Sequence, residues 1–179
     1  LGSPFAADLT GCALTINTGV TATVPSGVTL KITNAVTTNG QLIFENNASL
    51  VQTTNVTNTG AIEYRRKSAA MKNFDYTYWS SPVTGQNIVA LSPNTLADKY
   101  FRFDPSTVEG WFFDDGEMTP GVGFIIRVPK PGSPAPDNWS GTTYPQPVAF
   151  KGIPNNGNYF FTVDAGEFNL IGNPYPSAI

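Results

Sequence analysis

The chain has 179 residues, enough for one large or two small domains with a buried core, and only 13% of them are charged while 12% are aromatic. With 17 Gly, 15 Pro and abundant Thr, Asn and Ser, the composition predicts an all-β protein of many short strands, not a helical or disordered one. A net charge of −3 argues against nucleic-acid binding, and having no His and one Cys excludes a Ser-His-Asp or Cys-His catalytic set, a Cys/His zinc site and an internal disulfide.

Leu1 to Asp8 lacks the charged start and apolar core of a secretory signal, and FNLIGNPYPSAI stops just after a predicted strand and a Pro-rich turn. The chain is therefore expected to be a mature or excised segment with a tail missing. No apolar run approaches the roughly 20 residues that cross a bilayer, so membrane insertion is not expected. Cys12, just before an apolar strand, is expected to be a small buried hydrophobe.

Residues 1–70 read as a Thr/Asn/Gly-rich repeat. Gly19, Gly40 and Gly60 each close a polar tetrad (INTG, TTNG, TNTG). Aligning the intervals with one gap superposes Leu30 on Leu50, Val36 on Val56, Thr37 on Thr57 and Gly40 on Gly60, a period of about 20 residues. Within it, apolar residues alternate at strand period: Val20, Ala22, Val24; Val28, Leu30, Ile32; Leu42, Phe44; Ile62, Tyr64. A unit of this length suits one coil of a short parallel β-solenoid; a meander of hairpins with NG and TG turns is the alternative. Asn46-Asn47 reads as a corner, because Asn tolerates left-handed backbone. The run Arg65, Arg66, Lys67 reads as a solvated cap on an exposed strand edge, or else as an anion or polysaccharide contact. Ser68 to Asn73 reads as a linker.

Residues 71–179 read as an aromatic-rich β-sandwich, truncated at its C-terminus, that holds all three tryptophans. It opens on FDYTYWSSPV, where a strand through Tyr76 and Tyr78 kinks near Ser80 and Ser81 and turns at Pro82. Strands are predicted at 74–79, 86–91, 98–104, 110–114, 122–128, 147–152, 158–164 and 168–171, separated by Pro, Gly and Asn turns, with no helix. Tyr100, Phe101 and Phe103 lead through Asp104-Pro105 into Trp111, Phe112 and Phe113, a hairpin. The unbroken run 122–126 suits a central strand.

Two candidate ligand sites emerge. Trp139 and Tyr144, in or beside the Pro/Gly/Ser-rich stretch 130–146, would make an aromatic platform for a sugar ring if they do not simply pack over the end of the sandwich. Asp104, Asp114, Asp115 and Glu117 cluster in sequence and offer oxygen ligands for Ca²⁺, with a solvated turn as the plainer reading. No other cofactor is suggested. The same acids are poorly placed as a glycosidase pair, since adjacent residues at a strand end point apart.

FDYTYWSSPV, DKYFRFDPS…GW, MTPGVGFIIRVP and FNLIGNPYPSAI, with NNASLVQ…NTGAIEYRR before them, resemble a family of large secreted surface proteins of the Bacteroidetes, particularly flavobacteria. The resemblance covers about residues 40–179. It implies export by the type 9 secretion system, an extracellular or cell-surface location, and an adhesin-like or other non-catalytic role within a long multidomain polypeptide. It brings no catalytic residues, and this sequence contains neither a signal peptide nor a C-terminal sorting domain.

The expected function is thus a non-catalytic structural or adhesive module, with neighbouring domains of the same polypeptide, the secretion machinery and a glycan or other surface ligand as its partners. The alternative is a carbohydrate-binding or polysaccharide-active protein. A lyase without His would draw its base from Lys31, Arg65, Arg66, Lys67 or Tyr64, set in a groove with an acid. A flat, Thr-lined face would favour adhesion or, more remotely, an ordered-water surface.

Overall fold

The computed structural model describes residues 5–130, 143–163 and 165–177. Strand accounts for 42% and helix for 3%, so the chain is mostly β, with several sheets that include short parallel ones and an antiparallel one.

The first seven strands are three or four residues long: β1 (Leu9–Gly11), β2 (Leu14–Ile16), β3 (Thr21–Val24), β4 (Thr29–Ile32), β5 (Val36–Thr38), β6 (Gln41–Phe44) and β7 (Ser49–Gln52). They pair in parallel. Leu9 lies opposite Leu30 and Leu30 opposite Leu50 in the sheet β1-β4-β7; Leu14 faces Val36 between β2 and β5, and Ala22 faces Leu42 between β3 and β6. Bonded equivalents stand 20 to 22 residues apart in sequence. Alternation sends Ala22, Val24, Leu30, Ile32, Leu42 and Phe44 inward, where each side chain is covered by its counterpart one repeat on. Burial of each large aliphatic side chain contributes about 1.5–3 kcal/mol, which no single three-residue strand could secure alone.

The corners follow from backbone chemistry. Asn47 has φ +66°, the left-handed corner expected of it, and the Asn46 side chain accepts the Lys67 N–H. The superposition of residues 36–40 on 56–60 does not hold. Thr37 bridges to Thr59, and Gly60 packs against the Thr38 main chain. The slip has a cause: the buried Asn58 side chain accepts the Val36 N–H, taking the place of a main-chain carbonyl.

The rest comprises β8 (Ile62–Met71), β9 (Tyr76–Trp79), β10 (Val83–Thr84), the single helical turn α1 (Ile88–Leu91), β11 (Tyr100–Phe103), β12 (Trp111–Phe113), β13 (Phe124–Arg127) and β14 (Tyr144–Pro154). β8 pairs in parallel with β6 on one side, Phe44 opposite Tyr64, and antiparallel with β14 on the other, Phe150 opposite Tyr64. The five-stranded sheet β10-β14-β8-β6-β3 therefore contains strands from both stretches of sequence, and the boundary drawn between residues 70 and 71 falls inside β8. A second, antiparallel sheet runs β12-β11-β13-β9. β13 is interior there, as its apolar run requires, and the Tyr100 to Phe113 hairpin is present. One buried cluster joins Leu30 and Phe44 to Phe150, Tyr100 and Phe124.

Four expectations need correction. Ser68 to Met71 is not linker but the end of β8, because β14 supplies an antiparallel partner for it. Residues 86–91 form no strand: Asn87 caps α1 by accepting the Ala90 N–H, and Ile88 and Leu91, three apart, share its buried face. Residues 158–163 and 168–171 make no strand; Val122 and Ile171 form an isolated bridge, and Phe160 and Phe168 are exposed. Cys12 is exposed because it lies in the turn between β1 and β2, where its Sγ accepts a hydrogen bond from Asn34.

Candidate ligand clefts

Two clefts meet at β8. The first, of about 530 Å³, has β8 and β14 as its floor and the start of α1 as a wall. It is lined by Arg65, Arg66, Lys67 and Lys151, with Glu45 as its acid. Along the basic run β8 is paired with β14 on one edge, while its ladder with β6 ends at Tyr64, so a strand covers one edge of the run and none covers the other. Arg65 is held by Glu45 at 2.7 Å and Glu63 at 2.5 Å, and Lys151 reaches Glu63 at 3.3 Å. Burial pushes the Glu63 carboxyl up, but hydrogen bonds from Arg65 and Lys151 outweigh it and hold the group below its ordinary value.

Arg66 differs. Its guanidinium lies over the Tyr64 ring, 3.6 Å from the centroid, and donates to the main-chain carbonyls of Glu45, Arg65 and Ala48. No carboxylate among the described residues pairs with it. Burial pulls its pKa down to about 10, so it remains a cation at neutral pH. Lys67 is exposed and likewise pairs with no described acid.

The second cleft, of about 540 Å³, has Tyr64 and Phe150 as floor, Tyr78 and Trp79 from β9 as one wall, and the segment 170–177 as the other. Arg66 lines this cleft too. Trp79 turns inward to meet Phe150 edge-on at 5.9 Å, while Tyr78, one residue back, is 65% exposed at the rim. The far wall comes close because two positions lack a side chain: a Cβ at Gly172 would overlap Ser80, and one at Gly123 would overlap Leu170. Asn47, Ser49 and Asn173 add polar groups. Trp79 Nε1 and Ser80 Oγ are buried here and hydrogen-bond to no other protein group. An apolar, aromatic floor with a few convergent polar groups is the usual make-up of a small-ligand or sugar subsite.

Over residues 5–179 the sequence matches the family described as a domain of unknown function, DUF8693. The chain belongs to that family. Neither a curated protein nor a solved structure matches it.

Of the residues expected to form sites in this DUF8693 chain, Tyr144 and the four acids are described and line neither cleft. Trp139 lies outside the described residues, and Tyr144 opens β14 opposite Met71. Three of the four carboxylates are engaged within the fold, and Asp115 contributes its main-chain carbonyl. Asp104 accepts from the N–H and hydroxyl of Ser106, bonds that hold its carboxyl below the ordinary value. Asp114 faces Arg102 at 3.3 Å and accepts the Gly116 N–H; the Asp115 carbonyl accepts from Asn87, and Glu117 accepts the Gly85 N–H. Among the described residues no three His, Cys, Asp or Glu side chains are grouped to hold a metal ion. Of the candidate lyase bases, Tyr64, Arg65, Arg66 and Lys67 lie together on β8, with Tyr64 buried beneath Arg66, and Lys31 stands apart on β4. The clefts escaped the sequence because β14, distant from β8 along the chain, supplies Pro147, Val148, Ala149 and Lys151 to the first. Their one local signal was the alternation of Tyr64 with Arg66 ahead of the aromatic pair Tyr78 and Trp79.

Proposed function

We propose that this chain is a non-catalytic structural or adhesive module of a larger extracellular or cell-surface protein. In this reading residues 1–70 form a short parallel β-solenoid and residues 71–179 a β-sandwich. The observation that carries it is the unbroken ladder from β3 through β6 and β8 to β14, which ties the stacked repeat to the aromatic-rich stretch through main-chain hydrogen bonds. Such a body resists bending and presents its surface at a fixed angle to the domains before and after it. Contacts from one copy would be weak, and repetition along a long polypeptide would supply avidity. The resemblance to flavobacterial surface proteins supports export by the type 9 secretion system and exposure on the cell surface.

A second reading, a carbohydrate-binding module, is favoured by the aromatic cleft of Tyr78, Trp79 and Tyr64. One experiment addresses both. Beads coated with the chain are passed over immobilised polysaccharides under flow, and reducing ends released into the buffer are measured. Retention without release supports a non-catalytic adhesive role; steady release of reducing ends overturns it. Antibody labelling of intact source cells supports surface exposure, and labelling only after permeabilisation overturns it.

A further inference from the structure

We propose that the two clefts form one track, joined at Arg66, for an acidic polysaccharide bearing carboxylate or sulfate groups. The inference rests on the adhesive reading and names the ligand class.

Charge distribution is the first support. The chain is acidic, at −3, with ten Lys and Arg in all, yet Arg65, Arg66, Lys67 and Lys151 all line the first cleft. Three of these cations are consecutive in β8, and the fold adds Lys151 to them from β14. A cleft whose lining carries four cations and one acid keeps a net positive field, which raises the local concentration of anions. Arg65 and Lys151 are engaged by Glu45 and Glu63, which leaves Arg66 and Lys67 as cations with no carboxylate partner among the described residues.

The geometry of Arg66 is the second support. A guanidinium has five N–H donors, and three hydrogen bonds to main-chain carbonyls fix its orientation against Tyr64. The remaining donors stay available to an oxyanion at the junction of the two clefts. A cation held rigid by neutral carbonyls keeps its full charge for a ligand, whereas one held by a carboxylate does not.

The aromatic floor is the third support. The second cleft offers the exposed Tyr78 ring at its rim as a flat face for the apolar side of a pyranose, with Asn47 and Asn173 for hydroxyls. An alternating polymer of sugar rings and anionic groups meets both kinds of surface at once. A nucleic acid would demand more cations than the single patch supplies.

The test is direct binding of the whole chain to labelled oligogalacturonate, a heparin-derived oligosaccharide, a neutral maltohexaose and a DNA oligonucleotide. One or both acidic sugars should bind, with affinity falling several-fold as NaCl is raised through the range where screening sets in. Preference between them separates carboxylate from sulfate. Arg66→Gln and Lys67→Gln should each weaken the acidic ligand about tenfold, the loss of one charge-assisted hydrogen bond. Lys67 is exposed, so its variant keeps the test decisive if Arg66→Gln fails to fold. Tyr78→Ala should weaken binding and leave its salt dependence unchanged. Binding of maltohexaose alone, or bead retention with no preference for acidic sugars, overturns the track and leaves the adhesive reading standing. Equal binding of DNA, or no effect of Lys67→Gln, also overturns it.

Discussion

The stacked repeat and the antiparallel sheet bury similar side chains by opposite means. In β1, β4 and β7 the partner of Leu30 is another leucine one repeat away on either side, so order is set by copying. In β9, β11, β12 and β13 the partners are unlike: Phe124 faces Trp79, Ile126 faces Tyr100, and Phe103 faces Trp111. The first arrangement tolerates small side chains because covering comes from above and below. The second needs large aromatics, because each inward residue must reach across to the facing sheet, as Trp79 does to Phe150. β8 belongs to both, parallel on one edge and antiparallel on the other.

The largest effect tests whether the two behave as one unit. Leu30→Ala removes a fully buried side chain from the middle of the stack, far in sequence from any tryptophan. A loss of about 2–5 kcal/mol is expected from the vacated volume. All tryptophans follow residue 70, so fluorescence reports the second region while far-UV circular dichroism reports strand throughout. Both signals should shift to the same lower denaturant midpoint. A dichroism midpoint that falls while fluorescence stays put would split the molecule at β8.

Sequence made the stack legible and the junction illegible. Leu30 and Leu50 announced themselves by alternation and by the repeat, and the interior strand Phe124–Arg127 by its unbroken apolar run. The strand over 147–152 is expected from the sequence too, but not its start at Tyr144 or its pairing with β8, because Pro145 and Pro147 near that start disfavour a paired strand. They are tolerated where the register slips between them, a bulge that periodicity cannot foresee. For the same reason Arg65, Arg66 and Lys67 read as an exposed edge. A charge run looks solvated until the strand that covers it is known.

Next in size, two glycines separate corner geometry from close approach. Gly19 and Gly60 share nearly the same φ, +79° and +78°, but a Cβ at Gly19 meets nothing whereas at Gly60 it would overlap the Thr38 carbonyl. Gly19→Ala should cost roughly 1–2 kcal/mol, the left-handed backbone alone. Gly60→Ala should cost more than the roughly 1–3 kcal/mol of such strain, since two strands must also part. Equal melting points for the two variants would mean that the repeats do not approach closely at Thr38.

Asn58 sharpens the comparison from the polar side. Buried, it accepts from Val36 N–H and Gln52 and donates to the Pro154 carbonyl, joining the stack to the end of β14. Asn58→Ala should cost about 1–2 kcal/mol, because partners in both regions lose their hydrogen bonds. Hydrogen exchange should rise at Val36, inside the stack. If it rises only in the 53–58 segment, the residue serves its own loop and not the junction.

The smallest effect is a pH dependence seated on β8. Glu63, bound by Arg65 two residues along β8 and by Lys151 from the antiparallel partner β14, has a folded pKa below its ordinary 4.5. Folding thus favours the ionised form: the stabilisation is whole above pH 4.5 and is lost as pH falls through the lowered value. Arg65 is 42% exposed, so solvent screening limits the contribution to about 1 kcal/mol or less. Glu63→Gln should lower the urea midpoint slightly at pH 7, and the gap from the unaltered protein should close as pH drops below 4.5. A gap that persists at pH 3 would assign the role of Glu63 to packing and not to charge, and the bridge between the two regions would then rest on main-chain pairing alone.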